Sequence, residues 1–363
     1  MWLDPRQEPT AGVPSLPALA GPCLAHTDDV PSGALRDRFG RVLDYLRLAV
    51  NETCNLRCRY CMPAEGLPFR LGDELLRDEE TVRLCRLAAR LGTRKVRLTG
   101  GEPLLRRGLH EVIREVAATP GIKAVHLTTN GLLLAKQAAT LAAAGLAGVN
   151  ISLDTLKPQR FREITRRGGF DAVQAGLAAA LAHVPSVKLN VVALRGVNDD
   201  EFADFVELTR DASLGVRFIE LMPFDAHQIW RTGRFLTAER ICKRLQDLVP
   251  TLERTQGSST EHHAFRVPGY QGTVAVIPAY TRSLCRSCNR LRITADGRVL
   301  NCLYAGDGPD LRNAMREGAD DAELERLIRG AVEHKAATGW HAQRAAKAEQ
   351  QQSGRESMGQ IGG

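Results

Sequence analysis

At 363 residues, 44% hydrophobic and 25% charged, the chain has the make-up of an ordinary globular protein. It is long enough for one α/β barrel of roughly 250 residues plus an extension. No apolar run approaches the ~20 residues of a membrane helix, which excludes a helical span, and a formal charge of +7 suits nucleic acid, an acidic surface or a phosphorylated small molecule without choosing among them. Residues 1–36 are rich in Pro, Ala and Gly, lack the apolar block of a secretory signal, and read as a disordered leader. From Leu46 onward, short β-type runs alternate with helical patterns, the arrangement of a parallel sheet with covering helices. The predicted strands are Leu46 to Val50, Lys95 to Thr99, Ala124 to Thr129, Val149 to Leu153, Val187 to Val192 and Val216 to Leu221. Predicted helices fall near 78–91, 108–118, 133–144, 170–183 and 199–212. Six β/α units, where a full barrel has eight, predict a partial (β/α)6 TIM-like barrel over 37–222. Its open side is expected to be closed by residues 223–310, within a C-terminal extension of 223–340. The stretch 341–363 has no clear apolar face and reads by composition as a flexible tail.

In a barrel of this kind the reactive groups gather at the carboxyl ends of the strands. Cys54, Gly100, Thr128, Ser152 and Met222 lie at or just beyond predicted strand ends, and Lys188 lies within a strand. These residues are therefore expected to surround one mouth. Six of the nine cysteines fall into two tight triplets, which points to metal ligation in a reducing compartment and away from a disulfide framework.

The first triplet, Cys54-Asn-Leu-Arg-Cys58-Arg-Tyr-Cys61, places three thiols within eight residues directly after a strand. Three soft ligands suit a cuboidal iron-sulfur cluster whose fourth iron is open. Zinc is the competing reading, but it normally takes four protein ligands or shows an evident catalytic water. Cys-x3-Cys-x2-Cys, with Tyr60 before the last cysteine and Thr99-Gly100-Gly101-Glu102-Pro103 one β/α unit later, resembles the signature of the radical S-adenosylmethionine (SAM) superfamily. The resemblance implies a 4Fe-4S cluster on Cys54, Cys58 and Cys61, with SAM bound at the open iron and contacted by Tyr60, Gly101, Ser152 and Met222. Glu102 is expected to pair with or orient a cationic group.

The second triplet is Cys285, Cys288 and Cys302, with Asn289-Arg290-Leu291-Arg292 following its second member. On spacing alone, a zinc knuckle completed by His262 or His263 competes with a second cluster. Arg290 and Arg292 alternate along a predicted strand, so both face one side and could hold phosphate oxygens.

The two triplets together closely resemble the GTP 3',8-cyclase family, which opens molybdenum-cofactor biosynthesis. So do Asp44-Tyr-Leu-Arg47-Leu, Lys95-Val-Arg97-Leu-Thr99, Leu127-Thr128-Thr129-Asn130-Gly131, Asn150-Ile-Ser152-Leu-Asp154, Lys188-Leu-Asn190 and Arg217-Phe-Ile-Glu220-Leu-Met222. The match covers about 39–340 and resumes at Ile361-Gly362-Gly363. It implies two 4Fe-4S clusters, SAM, and GTP held by Arg47, Arg97, Thr128, Lys188, Arg290, Leu291 and Arg292. It also implies a radical that removes the 3' hydrogen of the ribose, attack of the sugar radical on carbon 8 of guanine, and a tail, Gly362-Gly363, that reaches the substrate pocket. The partners implied are an external one-electron reductant and the next pathway enzyme, cyclic pyranopterin monophosphate synthase. A cytoplasmic enzyme, with no nucleic acid or membrane partner and a homodimer as one admissible assembly, completes the expectation.

Asn51-Glu52-Thr53 stands where that family usually has Thr-Asp-Arg, so one cation near the first cluster is missing. Cys85 and Cys242 sit on apolar helix faces and read as core thiols. Two other readings stay open on sequence: a radical enzyme that modifies a peptide, and a non-catalytic metal-binding or electron-carrier protein.

Overall fold

A computed structural model describes residues 33–222, 233–257, 263–281, 283–348 and 357–362. In chain order, its first half consists of β1 (Tyr45–Ala49), α1 (Asp78–Arg90), β2 (Lys95–Thr99), α2 (Leu109–Ala117), β3 (Ala124–Thr129), α3 (Ala138–Ala143), β4 (Leu146–Ser152), α4 (Pro158–Thr165), α5 (Phe170–His183), β5 (Val187–Ala193), α6 (Phe202–Glu207) and β6 (Leu214–Glu220). The second half adds α7 (Ala238–Leu248), β7 (Glu253–Thr255), β8 (His263–Arg266), β9 (Thr273–Ile277), β10 (Arg290–Ile293), β11 (Val299–Leu300), α8 (Leu311–Arg316), α9 (Asp321–Glu333), α10 (Gly339–Ala348) and α11 (Met358–Ile361).

All strands form one sheet in the order β11-β10-β1-β2-β3-β4-β5-β6-β9-β8-β7. From β10 through β9 the eight neighbours are parallel; β11 at one end and the β8-β7 pair at the other are antiparallel additions. The extension thus flanks the six predicted units on both sides, with β10 against β1 and β9 against β6.

Parallel strands covered on both faces by helices read as continuous apolar runs. These alternate instead. Leu46 and Leu48, Val96 and Leu98, Val125 and Leu127, Val149 and Ile151, Leu189 and Val191, Val216 and Phe218, and Leu291 and Ile293 pack into one apolar core. The residues between them face the other side, so a period of two divides a helix-covered face from a polar one.

Three sequence readings are corrected. Within the supposed leader 1–36, Ala34 and Leu35 are buried and the Leu35 amide bonds to Leu91 O at 2.9 Å; residues 1–32 lie outside the described residues. The stretch read as a helix over 199–212 is helical only across α6, because Asn198 and Asp199 spend their side chains on turn amides: Leu194 N to Asn198 Oδ1 at 2.8 Å and Gly196 N to Asp199 Oδ1 at 2.7 Å. The tail contains α10, where Ala342, Ala345, Ala346 and Ala348 give strong helix propensity, and also α11, whose Gly359, Gln360 and Ile361 are buried. No helix among the described residues is long and apolar enough to cross a membrane.

Candidate active site

The polar face of the parallel strands lines a cavity of about 380 Å³. Strand register stacks its side chains in tiers. Arg290, Tyr45 and Lys95 are register partners; one tier further along, Arg292, Arg47, Arg97 and His126 follow across β10, β1, β2 and β3. Thr128, Asn150 and Lys188 align on β3, β4 and β5, and Asn190 pairs with Arg217 on β6. Eight Lys and Arg side chains line this space, namely Arg47, Lys95, Arg97, Lys188, Arg217, Arg290, Arg292 and Lys335, and no Asp or Glu is among the described lining residues.

Burial, then the like charges of Arg47 and Arg290, pulls Arg292 down to about 9. Burial works to raise the Tyr45 hydroxyl, but Arg97, Arg47 and Lys95 around it bring it down to about 6. The Nε atoms of Arg47 and Arg290 are buried with no hydrogen-bond partner among the described residues. A buried donor without a partner costs about 1–3 kcal/mol, and a multiply charged anion would satisfy both.

The two cysteine triplets lie at opposite ends of this cavity. Cys54, Cys58 and Cys61 follow the carboxyl end of β1, whereas Cys285 and Cys288 precede the amino end of β10, which runs parallel to it. Cys302 follows β11, antiparallel to β10, and so returns to the same end. Cys285, Cys288 and Cys302 all line the cavity floor, and of the residues expected around one mouth Thr128, Lys188 and Met222 line the same cavity.

Burial pushes Cys54 up to about 11, and burial followed by the charges of Cys61 and Asp154 raises Cys58. Such thiols stay protonated unless a metal takes the proton's place. At Cys288 burial also acts upward, but Lys335 and Arg290 outweigh it and leave the thiol below its ordinary value. Among the described residues no three His, Cys, Asp or Glu side chains converge on a point suited to a single metal ion. His263 on β8 therefore completes no knuckle with the second triplet, while His262 lies outside the described residues. Thiolates that ligate a cluster each take a different iron, so they need not share one point.

Around the first triplet, Tyr60 donates its hydroxyl to Asp154 Oδ2 at 2.6 Å, and Tyr60, Ser152 and Cys58 border a small cavity of about 30 Å³. Gly101 is dictated by close approach: a Cβ there would lie 2.3 Å from the carbonyl oxygens of Glu52 and Thr53. Met222 opens onto the large cavity, whereas Tyr60 and Ser152 border the small one. Glu102 pairs with no cation among the described residues; its carboxylate accepts from Leu104 N at 3.0 Å, Thr129 Oγ1 at 2.6 Å and Asn130 N at 2.7 Å, tying the ends of β2 and β3 together. Glu52, in the segment that lacks the expected arginine, is fully buried and draws in Arg70, whose Nη1 lies 2.8 Å from its carboxylate.

Of the expected nucleotide contacts, Arg47, Arg97, Thr128, Lys188, Arg290 and Arg292 share the cavity. Leu291 does not, because alternation turns its side chain into the apolar core. Tyr45, Lys95, His126, Asn190 and Arg217 were not singled out as site residues in the sequence, although the first four lie two residues from Arg47, Arg97, Thr128 and Lys188, and Arg217 alternates with the core residues Val216 and Phe218. Lys335, just beyond α9, had none.

The tail closes the other end. Ser357 Oγ lies 3.4 Å from Cys61 Sγ, Arg292 donates to the carbonyl oxygen of Gly362, and Met358 lines the cavity. A Cβ built on Gly359 would lie 3.4 Å from Gly101 Cα. Gly363 lies outside the described residues.

Residues 48–209 match the family model of the Radical SAM superfamily, and residues 214–340 match that of Molybdenum Cofactor Synthesis C. Among solved structures, Streptococcus suis SuiB bound to S-adenosylmethionine shares the fold, with a TM-score of 0.55 at 15% identity over 79% of this chain and 67% of that one. Fold, triplet and superfamily match together define a radical SAM enzyme. The GTP 3',8-cyclase of Chlorobaculum tepidum is 50% identical over 91% of this chain and 97% of its own, and that of Moorella thermoacetica is 44% identical over 91% and 100%. Human molybdenum cofactor biosynthesis protein 1 is 42% identical over 84% of this chain, which spans 48% of that longer protein. The chain belongs to the GTP 3',8-cyclase family.

Proposed function

We propose that this chain converts GTP to 3',8-cyclo-7,8-dihydro-GTP in a SAM-dependent radical reaction, the first step of molybdenum-cofactor biosynthesis. The observation that carries the reading is the cavity whose described lining holds eight cations and no carboxylate, with Cys285, Cys288 and Cys302 on its floor. A triphosphate brings about four negative charges, the complement such a wall requires. Arg47, Arg97, Thr128, Lys188, Arg290 and Arg292 hold it, with the Leu291 backbone beside them. We read the sheet as a partial barrel over 37–222, closed by the extension of 223–340.

Cys54, Cys58 and Cys61 would hold one 4Fe-4S cluster, and Cys285, Cys288 and Cys302 a second. When bound, the first cluster with SAM supplies the radical that removes the 3' ribose hydrogen. Tyr60, fixed by Asp154, together with Gly101, Ser152 and Met222, positions SAM. The guanine lies toward Cys285, Cys288 and Cys302, at the far end of the cavity, so the ribose is held between the two ends. The tail through Gly362 covers the site and excludes water. An external one-electron reductant and the enzyme that makes cyclic pyranopterin monophosphate complete the sequence of events, in a reducing cytoplasm.

Anaerobic incubation of reconstituted protein with reductant, SAM and GTP tests the reading. Conversion of GTP in step with SAM cleavage is expected. Cleavage that leaves GTP untouched sinks the assignment.

A further inference from the structure

His126 belongs to the cavity but to none of the roles above. On β3 it lies two residues before Thr128, on the same face, between the core residues Val125 and Leu127. The β3-β4 register slips at this point: Val125 pairs with Leu146 but His126 with Gly148, so Ala147 is an extra residue on β4. Bulges of this kind re-aim side chains beside active sites. Gly148 also leaves the space the imidazole uses, since a Cβ there would lie 2.6 Å from His126 Cε1 and 2.7 Å from Nδ1.

Arg97 fixes the ring. Its Nη2 lies 3.2 Å from His126 Nδ1, and because a guanidinium only donates, Nδ1 accepts. A neutral ring with an occupied Nδ1 lone pair carries its proton on Nε2. Burial, followed by the charges of Arg97 and Lys95 on β2, Lys188 on β5 and Arg217 on β6, keeps the imidazole neutral, with protonation pushed down to about 2. Arg97 in turn spends its Nε–H on Tyr45 Oη and its Nη1 group on Leu127 O and Thr128 Oγ1, which leaves one of its five N–H bonds for any ligand.

We propose that His126 is a nucleotide-binding residue: clamped by Arg97 over Gly148, it donates Nε2–H to a phosphate oxygen in the tier of Arg47, Arg97 and Arg292. The proposal rests on the reading of the cavity as the GTP site. It gives the cationic wall one neutral, directional donor, placed where Arg97 has few donors left.

The test is GTP affinity by anaerobic equilibrium dialysis, with KM and kcat beside it, for the reconstituted enzyme and its His126→Leu, His126→Gln and Gly148→Ala forms. His126→Leu should weaken GTP about tenfold and raise KM by a similar factor, with kcat changing far less; His126→Gln, which keeps an N–H donor, should recover most of the affinity. Gly148→Ala should weaken GTP in the same direction by displacing the ring, and should add little in the His126→Leu background, since both changes remove the same contact. The glutamine rescue and the effect of Gly148→Ala alone do not depend on His126→Leu being perfectly folded, and a merely structural role would not give rescue by glutamine. Wild-type enzyme that binds GTP equally to all variants overturns the role of His126 alone. Wild-type enzyme that binds no GTP overturns the cavity reading and this inference with it.

Discussion

Arg292 on β10 donates a hydrogen bond to the backbone carbonyl of Gly362, so a cation of the cavity wall holds the end of the chain against the mouth. Gly362 has φ +80, and a Cβ at that position would lie 2.9 Å from Thr99 Oγ1 and 3.2 Å from Ala49 Cβ. Gly362→Ala is therefore strained twice, in backbone and in space, at a cost of order 1–3 kcal/mol. Because α11 is a single short turn of four residues, the strain should displace the tail and leave the rest of the fold intact. Product formation should drop at least tenfold, by roughly the factor that misplacement of site groups produces, while the melting temperature moves by no more than about 4 °C. A large loss of Tm would show that the tail is structural.

Iron content separates the two triplets. Reconstituted wild-type protein should contain about eight irons and eight sulfides, and Cys58→Ser and Cys288→Ser should each lose about four. Only the Cys58→Ser form should lose SAM cleavage. Stoichiometric zinc in place of iron in either half would refute the cluster assignment there.

Arg290→Ala removes a buried guanidinium whose Nε has no partner among the described residues. GTP affinity should fall at least tenfold, the usual scale for a charge-assisted contact, whereas SAM cleavage uncoupled from GTP should persist. Leu291→Val, on the core face, should instead cost about 1 kcal/mol of stability and leave GTP affinity unchanged.

Much of this site was legible because two periods coincide in the sequence: the tight spacing within each cysteine triplet and the alternation along each strand. Arg290 and Arg292 declared their common face through that alternation, and Lys95 and Arg217 carried the same signal unread. What could not be read was placement between distant segments. Nothing in local spacing says that β10 pairs beside β1, and that pairing alone sends Cys285 and Cys288 to the amino end of the sheet while Cys54 stays at the carboxyl end. Glu102 misled for a related reason. A glutamate after two glycines looks available to a ligand, yet three donors from its own loop and from β3 consume its carboxylate.

Glu102 also sets a pH dependence. Burial lifts its carboxyl to about 7, against the hydrogen bonds from Asn130, Thr129 and Leu104 that act downward. The native state therefore holds a proton that the unfolded chain, with a group near 4.5, has released. The contribution is fully present below about pH 4.5 and is lost as the pH rises through about 7, a swing of roughly 3 kcal/mol. Glu102→Gln should flatten that slope. Its stability deficit relative to wild type, measured by urea unfolding of metal-free protein, should shrink between pH 5 and pH 8; a deficit independent of pH would refute the shift.

The position of β1 has a consequence for how the chain is made. It is the first strand among the described residues, yet it stays unpaired along one side until residues 290–293 have been synthesised, and β6 likewise waits for residues 273–277. The segment that matches the superfamily model ends near residue 209, but a ribosome-bound chain of that length would expose the long edge of β1, ready to pair with another molecule. Contacts spanning more than 240 residues also make the final closure slow. The catalytic half and the half that carries the second triplet are thus one folding unit, and a fragment ending at residue 222 should aggregate on expression where the full chain stays in solution.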